Sequence, residues 1–464
     1  MAYNFLAVER DQVYLLPPSV CDWLPEDHLA WFVLDAIDQI DLEPFYADYR
    51  QDGWGAPARH PKMMVALMVY AYCSGLRSSR RIEQACHVDV GFRVVACNQT
   101  PDHTTIARFR QRHTEALSSV FVASLRLCAQ AGMARVGVVA LDGTKMGCPA
   151  SLAANATSAH IDAEVAKMFA EAKAQDAAED QAFGPDSRGD EPPGPLRGRK
   201  ERKKRFLQAK ADLDAQGATA RAAHEAKLGD RAAKEAARGK SLGGRKPKAR
   251  VPKAQPKANT SDPQSRMMKT PGGFVQGYNC QAVVNADQVV IAAEVTDCHN
   301  DQGQLHPMIK ATKAALEDAA IDERPRRLLA DAGYCSESNL SKLERNDPEC
   351  YIATRNTYKN PDPRAGRRGL KAANATLVSE MDNKVSTEPG RQLYRARKHM
   401  VEPVFGQIKQ ARGARRFMRV GKAAAQSEWK LIMGTHNLLK LYRRSLTNPQ
   451  AAPWTRTPLG GVTC

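Results

Sequence analysis

The sequence predicts an α/β protein with a helical N-terminal region and one long charged insertion. Three observations carry that expectation. Residues 1 to about 130 show helical spacing of apolar residues, the period changes to that of buried strands at Arg135, and strands then alternate with helices after Arg266. The lengths allow two or three domains within 464 residues.

In the N-terminal region, "EDHLAWFVLDAIDQI" and "HPKMMVALMVYAYCSGL" repeat apolar residues at helical intervals. Pro61 suits a helix start and Gly75 a stop. Ser79 precedes a further helix, and Asp102 or Thr104 can cap the next. Arg108, Arg110 and Arg112 follow at once. Short helices, tight turns and a basic third element suggest a helix-turn-helix-like DNA-binding unit, and an ordinary helical bundle would carry the same pattern.

Beyond Arg135, "RVGVVALDGTK" reads as a buried strand ending in Asp142. Ile161 to about Gln181 reads as an exposed Ala-rich helix, and "GPDSRGDEPPGPLRG" as turn-rich and disordered. Lys200 to Lys240 has few large apolar residues, and "GGRKPKARVPKAQPKANTSDP" is a Pro-rich basic linker. Order returns at Arg266 with a hairpin that turns near Asn285-Ala286-Asp287. A helix, the strand "RPRRLLADAGY", a capped helix and the strand "ECYIATR" follow. "GRRGLKAANATLVSEMDNKVSTEPGRQLYRARKHM" reads as basic and irregular. "VEPVFGQIKQARG" and "AAAQSEWKLIMGTHNLLKLYRR" read as two final helices.

Composition narrows the function classes. No apolar run approaches the length of a transmembrane helix, and the N-terminus lacks the pattern of a signal peptide. Eleven scattered cysteines without a C-x-x-C pair fit a reducing cytoplasm rather than a zinc or disulfide framework. The net charge is +17. Arg197 to Lys257 holds twenty Lys and Arg against six Asp and Glu, so +14 lies in that one segment. A basic segment of this kind points to nucleic acid or to a solvated linker.

Two strands end alike, "VVALDGTK" at Asp142 and "RLLADAGY" at Asp331. Side by side in one sheet, both acids would stand at the strand ends where open α/β sheets bind ligands. Adjacent carboxylates repel, and a hard divalent cation removes that cost. Glu402 is the candidate third acid: Pro403 after it suits the first turn of a helix, which would place Glu402 at the cap. Lys409 lies two turns on along the same face, where a phosphate could be met. Thr144 and Lys145 either contact DNA beside Asp142 or only form the turn. Asn300 and Asp301 read as a helix cap, with a metal role as the alternative. His436 reads as a packing or hydrogen-bonding residue, and the Trp429, Ile432, Leu439 stripe as core.

"LDGTK", "ADAGYCSE", "RKHMVEPVFGQIKQARGARRF" and "EWKLIMGTHNLLKLY" together resemble the DDE transposases of bacterial insertion sequences, in particular the IS-five-like group with an InsH-type N-terminal domain. "TPGGFVQGYNCQAVV", "HNDQGQLHPMI" and "PDHTTIARFRQRH" are similar to further blocks of that family, in the same order. The resemblance implies a ribonuclease H-like catalytic domain, a mixed sheet flanked by helices, over 131–155 and 262–445. It further implies an all-α DNA-binding domain over 1–130, a charged insertion, helical to disordered, over 156–261, and a tail over 446–464. It places the catalytic and metal-binding triad on Asp142, Asp331 and Glu402. The cofactor implied is Mg²⁺ or Mn²⁺, as two ions. The partners are the element's terminal inverted repeats and target DNA, bound by a homodimer or higher oligomer. The setting implied is cytoplasmic and nucleoid-associated, without a membrane. Related transposases carry a helix signature Y-x2-R-x3-E-x6-K. On this chain Glu402 and Lys409 fit, Lys398 takes the Arg position and Arg395 the Tyr position. The activity implied is cleavage and strand transfer of DNA. A transposase-derived DNA-binding protein without catalysis, and a metal-dependent nuclease without strand transfer, are the alternatives.

Overall fold

The computed structural model describes residues 20–49, 57–183, 194–241, 243, 257–354 and 376–448. Most of the turn-rich segment after Phe183, most of the Pro-rich linker and the tail from 449 lie outside them.

Seven helices open the chain: α1 (Leu29–Asp38), α2 (Glu43–Tyr46), α3 (Pro61–Cys73), α4 (Ser79–Val88), α5 (Val90–Val95), α6 (His103–Arg112) and α7 (Thr114–Gln130). α3 is apolar almost all round and is the hub of this bundle, with every residue buried except Lys62. Asp89 caps α5 through Phe92 N, and Asp102 caps α6 through Thr104 N and Thr105 N. Gly75, at φ 77°, ends α3 in the left-handed region as a helix stop requires.

One mixed sheet follows, in the order β4-β5-β1-β7-β8, with β6 also paired to β5. Its strands are β1 (Val138–Gly147), β4 (Arg266–Thr270), β5 (Gly273–Asn285), β6 (Val290–Thr296), β7 (Arg327–Ala330) and β8 (Glu349–Ile352). β5 runs antiparallel to β1, whereas β7 is parallel to β1 and β8 parallel to β7. The predicted hairpin is β5–β6, while β4, which the sequence reading missed, extends it to three strands.

Between β1 and β4 the insertion forms a unit of its own. β2 (Asn155–Thr157) pairs with β3 (Lys257–Asn259), so the insertion leaves and returns at one point. α8 (Ser158–Phe183) and α9 (Gly194–Arg238) rise from there. Ile161, Val165, Phe206, Ala209, Leu213 and Ala258 form a small separate core at its base. Among the described residues of α9 none beyond Leu213 is buried. The Ala- and Lys-rich half therefore stands free as a helix, as its lack of large apolar residues requires.

α10 (Leu305–Asp318), α11 (Glu337–Leu340), α12 (Leu377–Ser386), α13 (Glu388–Gly406) and α14 (Lys422–Thr447) complete the chain. Much of the stretch predicted as irregular is helical. Thr376 and Ser379 form a capping box for α12, and Thr387 caps α13 with Pro389 in the first turn. Glu402 therefore lies inside α13 rather than at its start. Pro403 cannot donate to the His399 carbonyl four residues back. Gln288 Nε2 donates to that oxygen instead, at 2.9 Å.

α14 is the element on which the two halves meet. It packs against α7 and α3 on one side and β6 on the other. A Cβ at Gly434 would lie 3.0 Å from Phe121 Cα, so glycine sets the α7–α14 approach. Trp429 and Ile432 are buried, as the stripe predicted, and Leu439 packs at the core's edge. His436 donates to Gln288 O at 2.9 Å, and burial pushes its pKa down to about 3, so it is a neutral packing residue as expected. One continuous core runs through the helical region and the sheet. Buried Asn437 bonds both Val290 N (2.8 Å) and Val290 O (2.9 Å), which fastens the hairpin to α14. Asn437→Ala leaves both groups without a partner and should lower unfolding free energy by about 2–4 kcal/mol. Urea titration checks this; a loss below about 0.5 kcal/mol would show that other groups hold the hairpin.

Candidate active site

The site lies where the parallel half of the sheet ends. Leu141 and Ala330 are the last parallel partners of β1 and β7, so Asp142 and Asp331 follow side by side. β7 stops there, but β1 continues five residues past Asp142, because β5 stays paired to it as far as Gly147↔Gly277. The sequence expectation that β1 ends at Asp142 is corrected: only its β7 edge does. Thr144 and Lys145 belong to the strand and form no turn.

Asp142 Oδ1 accepts from Gly143 N at 2.8 Å, and Asp331 Oδ1 from Gly333 N at 2.9 Å. Asp142 Oδ2 is held by Arg397 Nη2 at 2.8 Å. Arg397 Nη1 lies 3.8 Å from Glu402 Oε1. Arg397 thus joins the first strand acid to the helix acid. Asp331 has no such bond to Glu402, whose side chain is half exposed. Among the described residues, no group of three or more Asp, Glu, His or Cys stands close enough to hold a metal ion as placed.

Burial pushes the Asp142 carboxyl up to about 6; the Arg397 guanidinium opposes this, and Asp331 and Asp301 add to it. Burial also raises Asp331, against the pull of Arg397. Two half-buried carboxylates thus stand near each other at one sheet edge.

A fourth acid enters here. Asp301 Oδ1 accepts from Asn279 Nδ2 at 2.7 Å, Gln281 Nε2 at 2.8 Å and Lys145 Nζ at 3.2 Å. Asn279 and Gln281 sit on β5 opposite Lys145 and Gly143, and Tyr334 OH donates to Gln281 Oε1. Asp301 is not the helix cap expected. α10 starts at Leu305, after Gln304, without a side-chain cap. Only the Asp301 carbonyl serves that turn, accepting from Gln304 N at 2.9 Å.

Of the predicted DNA-contact residues, Lys145 and Lys409 stand beside this centre. Lys409, in the π-turn Gln407–Ala411, donates to Lys145 O at 2.9 Å, and burial lowers its pKa. Arg395, Lys398 and Glu402 share the exposed face of α13. The guanidinium that meets Asp142 is Arg397, not a side chain at 395 or 398. Tyr394 and Arg397 keep the Y-x2-R spacing of the signature, and Glu402 falls one residue late. In α6, Arg108 and Arg112 are exposed, and Arg112 lies 5.5 Å from the Tyr49 ring centroid. Arg110 is buried, bonded to Arg77 O (2.8 Å) and Ser79 Oγ. Its fork satisfies the turn before α4, so its guanidinium is turned into the fold rather than to the surface.

Residues 18–112 match a family model described as a transposase domain (DUF772), and residues 349–442 match one described as a transposase DDE domain. The second match spans Glu402 and Lys409. No curated protein and no solved structure matches the chain. Both matches are to transposase domains, which indicate a transposase and are consistent with the DDE transposases of insertion sequences.

The raised Asp142 carboxyl sets a testable pH dependence. Its folded value lies above its unfolded one, so its stabilising contribution is full below about pH 4 and is lost as pH rises through about 6. Removing the neighbouring charge with Asp331→Asn should lower the Asp142 midpoint from that value. Carbon-13 titration of the metal-free protein reads it, and an unmoved midpoint would show that the two carboxyls do not sense each other.

Proposed function

We propose that the chain binds the ends of its own element and catalyses metal-dependent DNA cleavage and strand transfer. The observation that carries this reading is the placement of Asp142 and Asp331 at neighbouring parallel strand ends, with Arg397 linking Asp142 to Glu402. The strand order, with β5 antiparallel and β7 and β8 parallel, supports a ribonuclease H-like sheet.

The all-oxygen donor set of Asp142, Asp331 and Glu402 suits Mg²⁺ or Mn²⁺. Asp142 and Asp331 would hold the ions from the sheet, and Glu402 would join from α13. When bound, such ions lower the pKa of an attacking water or hydroxyl and stabilise the leaving oxygen. Arg397 orients Asp142 and offsets its charge. Lys145 and Lys409 bring cationic groups to the same edge, and Lys398 and Arg395 extend the positive face along α13 for the phosphates of double-stranded DNA. Water attack on the phosphodiester at an element end frees a 3′-hydroxyl, and in-line attack by that hydroxyl on target DNA joins the strands. Joining two ends suits a homodimer or larger assembly on DNA. Arg108 and Arg112 of the helical domain are the candidates for reading the ends. Among the described residues no helix is long and apolar enough to cross a membrane.

Asp331→Asn keeps the shape and removes the charge. It should lower cleavage of element-end DNA by at least roughly 10³-fold, a loss expected when stabilisation of developing charge is removed, and leave DNA affinity unchanged. Nicking at the wild-type rate would refute the assignment. Wild-type protein that nicks but never joins strands would make it a nuclease.

The insertion offers a second test. Residues 214–256 carry eleven Lys and Arg against four Asp and Glu. Leu213 and Ala258 share the small core, so a short Gly-Ser bridge can replace the segment between them. The shortened protein should bind all DNA more weakly, with a flatter dependence on salt, because phosphate contacts release counterions whatever the sequence. Its preference for element ends over random DNA should survive. Titration of both DNAs across a salt series reads this; lost preference with an unchanged salt slope would make the insertion a specific reader.

A further inference from the structure

We propose that Asp301 is a further metal-binding carboxylate of this site, held toward it by the sheet. The inference rests on the metal-dependent reading above and adds a residue that the strand-tip pattern does not reveal.

Asp301 enters from the loop between β6 and α10, yet its carboxylate lies over the middle of the sheet. A Cβ placed on Gly143 would sit 2.6 Å from Asp301 Oδ1. A Cβ on Gly333 would sit 3.0 Å from Asp331 Oδ1 and 3.6 Å from Asp301 Oδ2. The two glycines that follow the strand-tip acids therefore clear the space that Asp301 fills. Asn279 and Gln281, both fully buried on β5, are spent on positioning it. Buried amides are costly unless bonded, so this support is a committed part of the core.

The support is one-sided. All three donors, Asn279, Gln281 and Lys145, reach Oδ1. Among the described residues no donor reaches Oδ2, the oxygen on the Gly333 and Asp331 side, and none reaches Asp331 Oδ2. Asp301 and Asp331 both approach Gly333 and each keeps one carboxylate oxygen without a donor among the described residues, which a hard cation would satisfy. Among the described residues Lys145 supplies the one cation bonded to Asp301, and it competes with a metal for that charge.

Mn²⁺ titration of the full-length protein without DNA, followed by electron paramagnetic resonance of free Mn²⁺, tests this. Asp301→Asn keeps the Oδ1 acceptor for Asn279 and Gln281. It should weaken Mn²⁺ binding roughly 10–100-fold, the range seen when a metal site loses a supporting group, with an unchanged unfolding midpoint. Lys145→Met should tighten Mn²⁺ binding. It also serves as the independent variant should Asp301→Asn fail to fold. Wild-type affinity in Asp301→Asn, or weaker binding in Lys145→Met, would overturn the proposal. Asp331→Asn separates the two readings. If it abolishes Mn²⁺ binding while Asp301→Asn does not, only the role of Asp301 fails. If neither changes binding, the metal-dependent reading fails as well.

Discussion

Everything at the candidate site depends on β1 having two edges that end in different places. On one edge β7 pairs in parallel and stops at Ala330. On the other, β5 stays antiparallel through Gly147. Asp142 thus stands at a strand end on its β7 side while its backbone remains pinned on the β5 side. Asp331, emerging from β7, gets its position from that offset and from its own bond to Gly333 N. β5 also carries Asn279 and Gln281, so one strand both holds β1 straight and anchors Asp301.

The electrostatics follow from this geometry. Three aspartates meet two near cations, Arg397 and Lys145. Arg397 is almost fully buried, so its pairing with Asp142 is not a surface ion pair of negligible worth. A buried pair is still poor grounds for claiming stability, because desolvation offsets attraction. Its clearer role is placement: a planar fork fixes the Asp142 carboxylate and reaches toward Glu402, which a lysine at that point could not do in the same way. Burial, more than repulsion from neighbouring aspartates, keeps Asp142 and Asp331 raised, and a divalent cation would offset both by favouring the charged forms.

How much of this was legible in the sequence differs by residue. The placement of Asp142 and Asp331 side by side where the parallel pairing ends was, because an apolar run reaching Asp is a local pattern, although after Asp142 the expected Gly turn is strand. The hairpin β5–β6 and the buried stripe of α14 were legible for the same reason. Asp301 was legible only in part: a metal role stands as the alternative to a helix cap, because Asp301 ends no strand and only the fold carries its loop over Gly143. Arg397 was hidden among Arg391, Arg395, Lys398 and His399, where a run of charge masks the inward face of Arg397, Met400, Val401 and Val404. Glu402-Pro403 misled, since proline after an acid marks a helix start only where the carbonyl four residues back needs no backbone donor. Here Gln288 supplies one from another element. Arg110 reads as a DNA contact until its partners at Arg77 and Ser79 are seen.

The helical N-terminal region is not a separate bead. The turn after α3 clasps the loop that follows the π-turn of Gln407–Ala411. Arg77 donates to Arg416 O at 2.7 Å and to Gly413 O at 3.2 Å, and it pairs with buried Glu428 of α14 at 3.1 Å. That loop returns to the far end of β1, where Phe417 N donates to Gly147 O at 2.8 Å. Lys145 lies two residues from this contact, and Lys409, just before the loop, bonds its carbonyl. A short chain of hydrogen bonds therefore runs from the turn that orients α4 and α6 to the basic side of the acid cluster. A duplex held by the outer face of α6 would be held by a body rigidly joined to the strand that carries Asp142. The shared core between α7 and α14 makes that join apolar as well as polar. The outer face of α6 and the acids are thus joined through the packed fold, and the free half of α9 is the one large basic element among the described residues left outside it.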